Sequence, residues 1–210
     1  SNFSFVLGSQ MDLFVGFDPG GQNYCFGVCL LNAKGELRHQ AVRSVKEAVS
    51  CIDAEPTAIG VDAPLWWSIG AGGGRKADNW IRTRYSIQSG TVQSVNSLRG
   101  AAVAQGFLIV DRVRATFPNV MVTEAHPKAL LISLYGSQDA PDIWERFSSD
   151  FGLVGSPSNE HERDAAVAAV CAREGHYGRW KLDLSCDRFP EEQDPERHWI
   201  GPVRYFWPNA

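Results

Sequence analysis

No stretch of this chain approaches the ~18 consecutive apolar residues that a membrane-spanning helix needs, so no membrane span is expected. Its five cysteines, Cys25, Cys29, Cys51, Cys171 and Cys186, form no Cys-x-x-Cys pair, and their number is odd. Zinc ribbons and disulfide scaffolds are therefore poor fits, and reduced thiols in a cytoplasmic protein are the expectation. The first ten residues hold no Lys or Arg, which a secretory leader would need. Because Met11 then opens a strand-like segment, residues 1–10 read as an appended remnant or the mark of an alternative start. Gly72-Gly73-Gly74 is not followed by Gly-Lys-Ser/Thr, so it is no Walker loop. No internal repeat and no domain boundary stand out, and residues 11–210 read as one domain.

A basic excess is missing too. Twenty Lys and Arg face 24 Asp and Glu, a net charge of −4. Domains that coat nucleic acid by charge alone usually have a pI above about 9. A nuclease stays open, because a metal site made of carboxylates is itself acidic. With 44% hydrophobic residues and moderate charge, the chain has ample material for a packed core.

What is present alternates between short apolar runs and helical patterns. Residues 12–18, 24–32 and 36–42 read as a meander of strands, the first ending at Asp18-Pro19-Gly20. Residues 57–62 and 120–125 read as two further strands. Helices are predicted at 45–53, 75–87, 99–116, 127–135, 141–151 and 158–174. The helix at 99–116 carries Val103, Phe107, Val110 and Val113 at helical spacing, and Ser158 is the expected N-cap of the last. This succession of strands and helices predicts an α/β fold with a mixed five-stranded sheet. Three antiparallel strands come first, parallel strands follow by helical crossovers, and helices flank the faces. The closing aromatic segment, Tyr205-Phe206-Trp207, is expected to pack back on the body.

In such a sheet, chemistry gathers beyond the carboxyl ends of the strands. Three acids fall there: Asp18 ends the first strand, Asp62 the fourth, and Glu124 lies near the end of the fifth. A fourth, Asp164, sits in the small-residue helix segment Arg163-Asp-Ala-Ala-Val-Ala-Ala-Val-Cys-Ala172, whose backbone can lie close to the sheet. A buried charge on such a helix needs compensation, and a metal ion would supply it. Clustered carboxylates bind Mg²⁺ or Mn²⁺, and paired ions of this kind promote phosphodiester hydrolysis. The plainer reading is that Asp before Pro or Gly simply makes turns, and that an Asp in a helix faces solvent.

The segment Val15-Gly-Phe-Asp18-Pro-Gly-Gly resembles the first strand of RNase H-fold nucleases of the RuvC-like group. Ile59-Gly-Val-Asp62-Ala-Pro falls where that fold places its fourth-strand acid, and His161-Glu-Arg-Asp164-Ala-Ala resembles its final-helix signature. Together with Arg75-x-x-Asp78-x-x-x-Arg82, Glu124-Ala-His126-Pro127 and Arg163-Asp164-Ala165, the ordered set resembles an uncharacterised prokaryotic family of predicted nucleases with the RNase H fold. The resemblance covers about residues 12–175. It implies an RNase H-like sheet, a metal-dependent hydrolase acting on nucleic acid, and Asp18, Asp62 and Asp164 as ligands of Mg²⁺ or Mn²⁺. Glu124 would be a fourth ligand or a supporting acid. His161, one helical turn before Asp164, would orient a water or act as general base. His126, extended by the proline after it, would stand at the edge of the site.

Residues 64–100 carry Arg75, Lys76, Arg82, Arg84 and Arg99 against Asp78 alone, a basic surplus in an acidic chain. Following directly on Asp62, they are expected to border the metals. Arg75, Lys76 and Arg82 would hold phosphates, and Trp66, Trp67 or Trp80 would stack on a base. Ion pairing of Arg75, Asp78 and Arg82 along one helix face, with the tryptophans as a hydrophobic lid, is the plainer alternative. Two other functions fit the same residues. One is a nucleotide-dependent phosphotransferase of the actin-like superfamily, which Asp18-Pro-Gly-Gly resembles, although such enzymes pair two domains. The other is a binding module whose acids are structural.

Overall fold

The computed structural model describes residues 12–20, 25–93 and 100–209. The expectations for residues 1–10 and for Gly21, Tyr24 and Arg99 lie outside the described residues. Five strands, β1 (Leu13–Asp18), β2 (Phe26–Asn32), β3 (Leu37–Val42), β4 (Ala58–Val61) and β5 (Met121–Glu124), form one sheet. Their order across it is β3-β2-β1-β4-β5. β1–β2 and β2–β3 are antiparallel, whereas β1–β4 and β4–β5 are parallel. Strand order and directions are those of an RNase H-like sheet, as the sequence predicts.

Among the described residues, six helices flank it: α1 (Val45–Ser50), α2 (Lys76–Tyr85), α3 (Gly100–Thr116), α4 (Pro127–Tyr135), α5 (Ile143–Asp150) and α6 (Glu160–His176). Strand alternation sorts the core into two layers. Val15, Phe17, Val28, Ile59 and Val61 pack with Ala48 of α1 and with Ile109, Val110 and Val113 of α3. Phe14, Cys29 and Ala58 face the other way, against the alanines and valines of α6. Of the four apolar residues expected on α3, Val103, Val110 and Val113 are buried and Phe107 is partly buried.

Helix α6 lies unusually close to the sheet. A Cβ on Gly16 of β1 would overlap the Ala165 carbonyl, one on Gly60 of β4 the Ala168 carbonyl, and one on Gly27 of β2 the His161 carbonyl. Gly16 and Gly60 stand side by side in the β1–β4 register, and Gly27 pairs with Asp18 in β1–β2. A helix of small residues thus beds its backbone in a trough of strand glycines. Its start differs by one residue from the expectation. Asn159, not Ser158, is the N-cap: its side chain accepts from the Glu162 N–H, while Glu162 Oε2 accepts from the Ser158 N–H at 2.7 Å. Asn159 thus caps the helix, and the Glu three residues on reaches back past it to the N–H of the preceding residue, a variant of the capping box.

Both sheet edges are managed. Edge strand β3 is half exposed, and its Arg38 pairs bidentately with Asp53. Along β5, Arg204 of the C-terminal segment donates to the Val122 carbonyl and accepts from the Glu124 N–H. This covers the edge that would otherwise present free backbone groups. The segment continues into β7 (Phe206–Trp207), paired with β6 (Leu182–Asp183), and buries Tyr205 and Trp207 as expected.

Overpacking a tight contact costs about 1–3 kcal/mol or more. Gly16→Ala should lower unfolding stability by about 3 kcal/mol in urea titration, because backbone, not a side chain, meets the new methyl. Gly90→Ala, with nothing within 4 Å, is the control and should change it by less than about 0.5 kcal/mol. Equal losses in the two variants would contradict the close-packed trough.

Candidate functional site

The trough delivers α6 side chains to the ends of β1 and β4. Asp18 is the last residue of β1, and Asp62 follows β4, its N–H donating to the Phe17 carbonyl. His161 and Asp164 hang from the first two turns of α6. His161 Nδ1 lies 2.6 Å from Asp18 Oδ2. Asp164, 2% exposed, is held by Arg163 Nε and Nη2 at 3.0 and 2.9 Å. No hydrogen bond from a described residue reaches the carboxylate of Asp62, which is only partly buried. His126 Nδ1 stands 3.8 Å away.

The electrostatics follow from that packing. Burial, then the charges of Asp18 and Asp164, push the Asp62 carboxyl well above the usual carboxylate range, with Lys128 opposing. Burial raises Asp164 to about 6, with Arg163 pulling down and Asp18 adding to the rise. The bond to Asp18 raises His161, against burial. Burial lowers His126 to about 4, so it carries no charge near neutral pH. Three acids from three elements therefore repel one another in a partly dehydrated space.

Carboxylate oxygens are the donors that Mg²⁺ and Mn²⁺ favour, so the chemistry of Asp18, Asp62 and Asp164 fits such an ion. Their present orientation serves other partners: Asp18 is turned to His161 and Asp164 to Arg163. Among the described residues, no group of three or more His, Cys, Asp or Glu side chains already stands in a metal-holding cluster.

The basic segment is organised differently from the expectation. Arg75 is 1% exposed. Its fork donates to Glu124 Oε2 and Oε1 at 2.8 and 2.6 Å, and to Asp78 Oδ2 and Oδ1 at 2.9 and 2.8 Å. Glu124 Oε2 also accepts from the Leu65 N–H at 2.9 Å. Two expectations are corrected here. Arg75 is a structural cation rather than a phosphate contact, because its guanidinium is enclosed and already paired. Glu124 is its partner rather than a metal ligand, because both its oxygens are turned to the guanidinium and away from Asp18 and Asp164. Trp66 is corrected likewise. It is fully buried, lies beneath the Arg75 guanidinium at 4.1 Å, and donates from Nε1 to Glu192 at 2.7 Å, so it has no free face for a base.

Of the remaining cations, Lys76 reaches Asp187 at 2.6 Å on the surface. Arg82 bonds Asn79 and the Val92 carbonyl. Trp67 is 41% exposed. Sequence reasoning did not single out Lys128, which pairs with Glu160 at 2.5 Å and whose charge acts on Asp62 and Asp164. Nor did it single out Glu192, which accepts from Trp66, the Lys76 N–H and the Phe189 N–H. Lys128 follows the Glu124-Ala-His126-Pro127 motif by one residue, a signal that could have found it. Glu192 sits in an acidic turn-rich stretch with no local signal at all.

A family model described as "Protein of unknown function (DUF429)" matches residues 16–142, and the chain belongs to that family. No curated protein matches the chain. Among solved structures, the Thermus thermophilus RuvC structure is similar, with 18% identity and a TM-score of 0.39, covering 79% of this chain and 96% of that one.

Removing one member of a buried ion pair costs about 3–5 kcal/mol. Arg75→Met should lose about that much stability in guanidinium titration, since it leaves Glu124 and Asp78 buried without their cation. A loss under about 0.5 kcal/mol would contradict the structural role.

Proposed function

We propose that this member of the DUF429 family is a divalent-metal-dependent phosphodiesterase that cleaves nucleic acid, with Asp18, Asp62 and Asp164 as its metal ligands. The observation that carries the reading is Asp62. It directly follows core strand β4, accepts no hydrogen bond from a described residue, and faces the charges of Asp18 and Asp164 supplied by two other elements. A protein selected only for stability would relieve that repulsion with a neutral side chain or a cation. The ordered motifs of the sequence point the same way.

Mg²⁺ or Mn²⁺ bound to these carboxylates would supply Lewis acidity and an activated water. The chain's own groups then have defined tasks. His161 and Arg163 hold the Asp18 and Asp164 carboxylates at the metal-binding edge. Lys128, partly exposed beside Glu160, is the cation best placed to meet a phosphate oxygen near Asp62 and Asp164. His126, neutral and 3.8 Å from Asp62, offers the substrate a hydrogen-bonding nitrogen without competing for the carboxylate as a cation.

Two readouts test the reading together. In Mn²⁺, the wild type should cleave at least one of single-stranded, duplex, hybrid or junction substrates. Asp18→Asn and Asp62→Asn should each reduce cleavage by more than about a hundredfold. Without metal, Asp62→Asn should raise the unfolding midpoint at pH 7.5. Ionised Asp62 destabilises the fold whenever pH exceeds its raised folded-state pKa, and the penalty disappears as pH falls toward the unfolded value of about 4. The gain should therefore fade on acidification. Cleavage unchanged in the variants, cleavage of no substrate, or a midpoint lowered by Asp62→Asn would contradict the proposal.

A further inference from the structure

Beside Asp62 the structure encloses a cavity of about 90 Å³, bounded by Asp62, Arg75, Asp78, Ala102, Glu124 and His126 among others. Its position connects the repelling carboxylates with the buried Arg75 network. Its charge excludes phosphate: one guanidinium is outnumbered by Asp78 and Glu124, with Asp62 as a third acid. Its hydrogen-bonding capacity is mainly that of an acceptor. Glu124 Oε1 and both Asp78 oxygens each accept one bond from Arg75 and keep further lone pairs. The Tyr205 hydroxyl, buried with no hydrogen-bond partner among the described residues, lies within the field of the same carboxylates. Among the parts of a nucleotide, a neutral group that presents an N–H donor to these oxygens can meet such a wall.

Size narrows the choice. An apolar cavity of about 150 Å³ holds benzene, so about 90 Å³ with an open side suits one small ring partly inserted and leaves no room for a purine. On a nucleic acid, the neutral, ring-sized, donor-bearing group next to a phosphodiester is a cytosine. Its exocyclic amine is the donor that Asp and Glu recognise, whereas uracil and thymine would turn a carbonyl oxygen toward the carboxylates. A base can enter only when unstacked.

We propose that this cavity receives the base of an unpaired cytosine nucleotide beside the scissile phosphate, and so makes the protein selective for unpaired cytosine over thymine or uracil. The proposal rests on the phosphodiesterase reading, and its test separates the two. Binding of fluorescein-labelled dC8 and dT8 is measured by anisotropy with Ca²⁺ in place of Mg²⁺. The wild type should bind dC8 at least about tenfold more tightly. Ala102→Leu, which fills the cavity from α3, and Thr91→Leu, which fills it from the neighbouring loop, should bring the two affinities within twofold. Equal affinities in the wild type, binding of neither oligomer, or a preference that survives in both filled variants would overturn the pocket. Cytosine-selective binding with no cleavage in Mn²⁺ would instead overturn the phosphodiesterase reading, and cleavage with no base preference would sink only the pocket.

Discussion

The contact between the backbone of α6 and the glycines of β1, β2 and β4 governs the rest of this structure. Side chains normally hold a helix about 10 Å from a sheet. Here Gly16, Gly27 and Gly60 remove that layer, and the Ala165 and Ala168 carbonyls rest in the gap. The gain is dispersion across a dry, close-packed seam. The functional consequence is reach. Asp164 and His161 have short side chains, yet they meet acids on strand ends because the helix itself is close. A larger residue at any of the three glycines would lift α6 and part His161 from Asp18.

Two carboxylate groups then share one end of the sheet under opposite electrostatic conditions. Around Arg75 one guanidinium bridges two carboxylates, and burial is compensated by bidentate bonds to Asp78 and Glu124, with Trp66 stacked on the guanidinium. Around Asp62, charges of one sign from three elements converge, with Asp18 held by His161 and Asp164 by Arg163. The first arrangement shapes a wall and the second invites a cation. On the proposed reading, a metal bound there would reverse the sign of the site where a phosphate arrives.

Much of this was legible in the sequence because it is local. Apolar runs that stop at Asp18-Pro and Asp62-Ala-Pro mark strand ends, and the alanine run after Asp164 marks a helix that can pack closely. The trough glycines carried no signal of their own, since a Gly inside a strand reads as a weakness until its partner backbone is known. The basic segment misled for the opposite reason. Its excess charge suggested a phosphate surface; pairing of Arg75 with Asp78, three residues on, was legible as the plainer alternative, but Glu124, which also claims Arg75, and Glu192, which anchors Trp66, lie 49 and 126 residues away in the chain. Composition sees a surplus of cations, and only tertiary structure shows which of them is already spent. The cap of α6 shows the same limit on a small scale, because Ser158 and Asn159 are equally good caps and the backbone entry angle decides between them.

The central claim is that Asp18, Asp62 and Asp164 together hold a divalent cation. Crystals soaked in Mn²⁺ and measured at the manganese absorption edge test it most directly. The account predicts an anomalous peak in contact with all three carboxylates, with Asp18 turned from His161 and Asp164 from Arg163. A crystal saturated with Mn²⁺ that shows no peak there, and keeps both ion pairs, would contradict it.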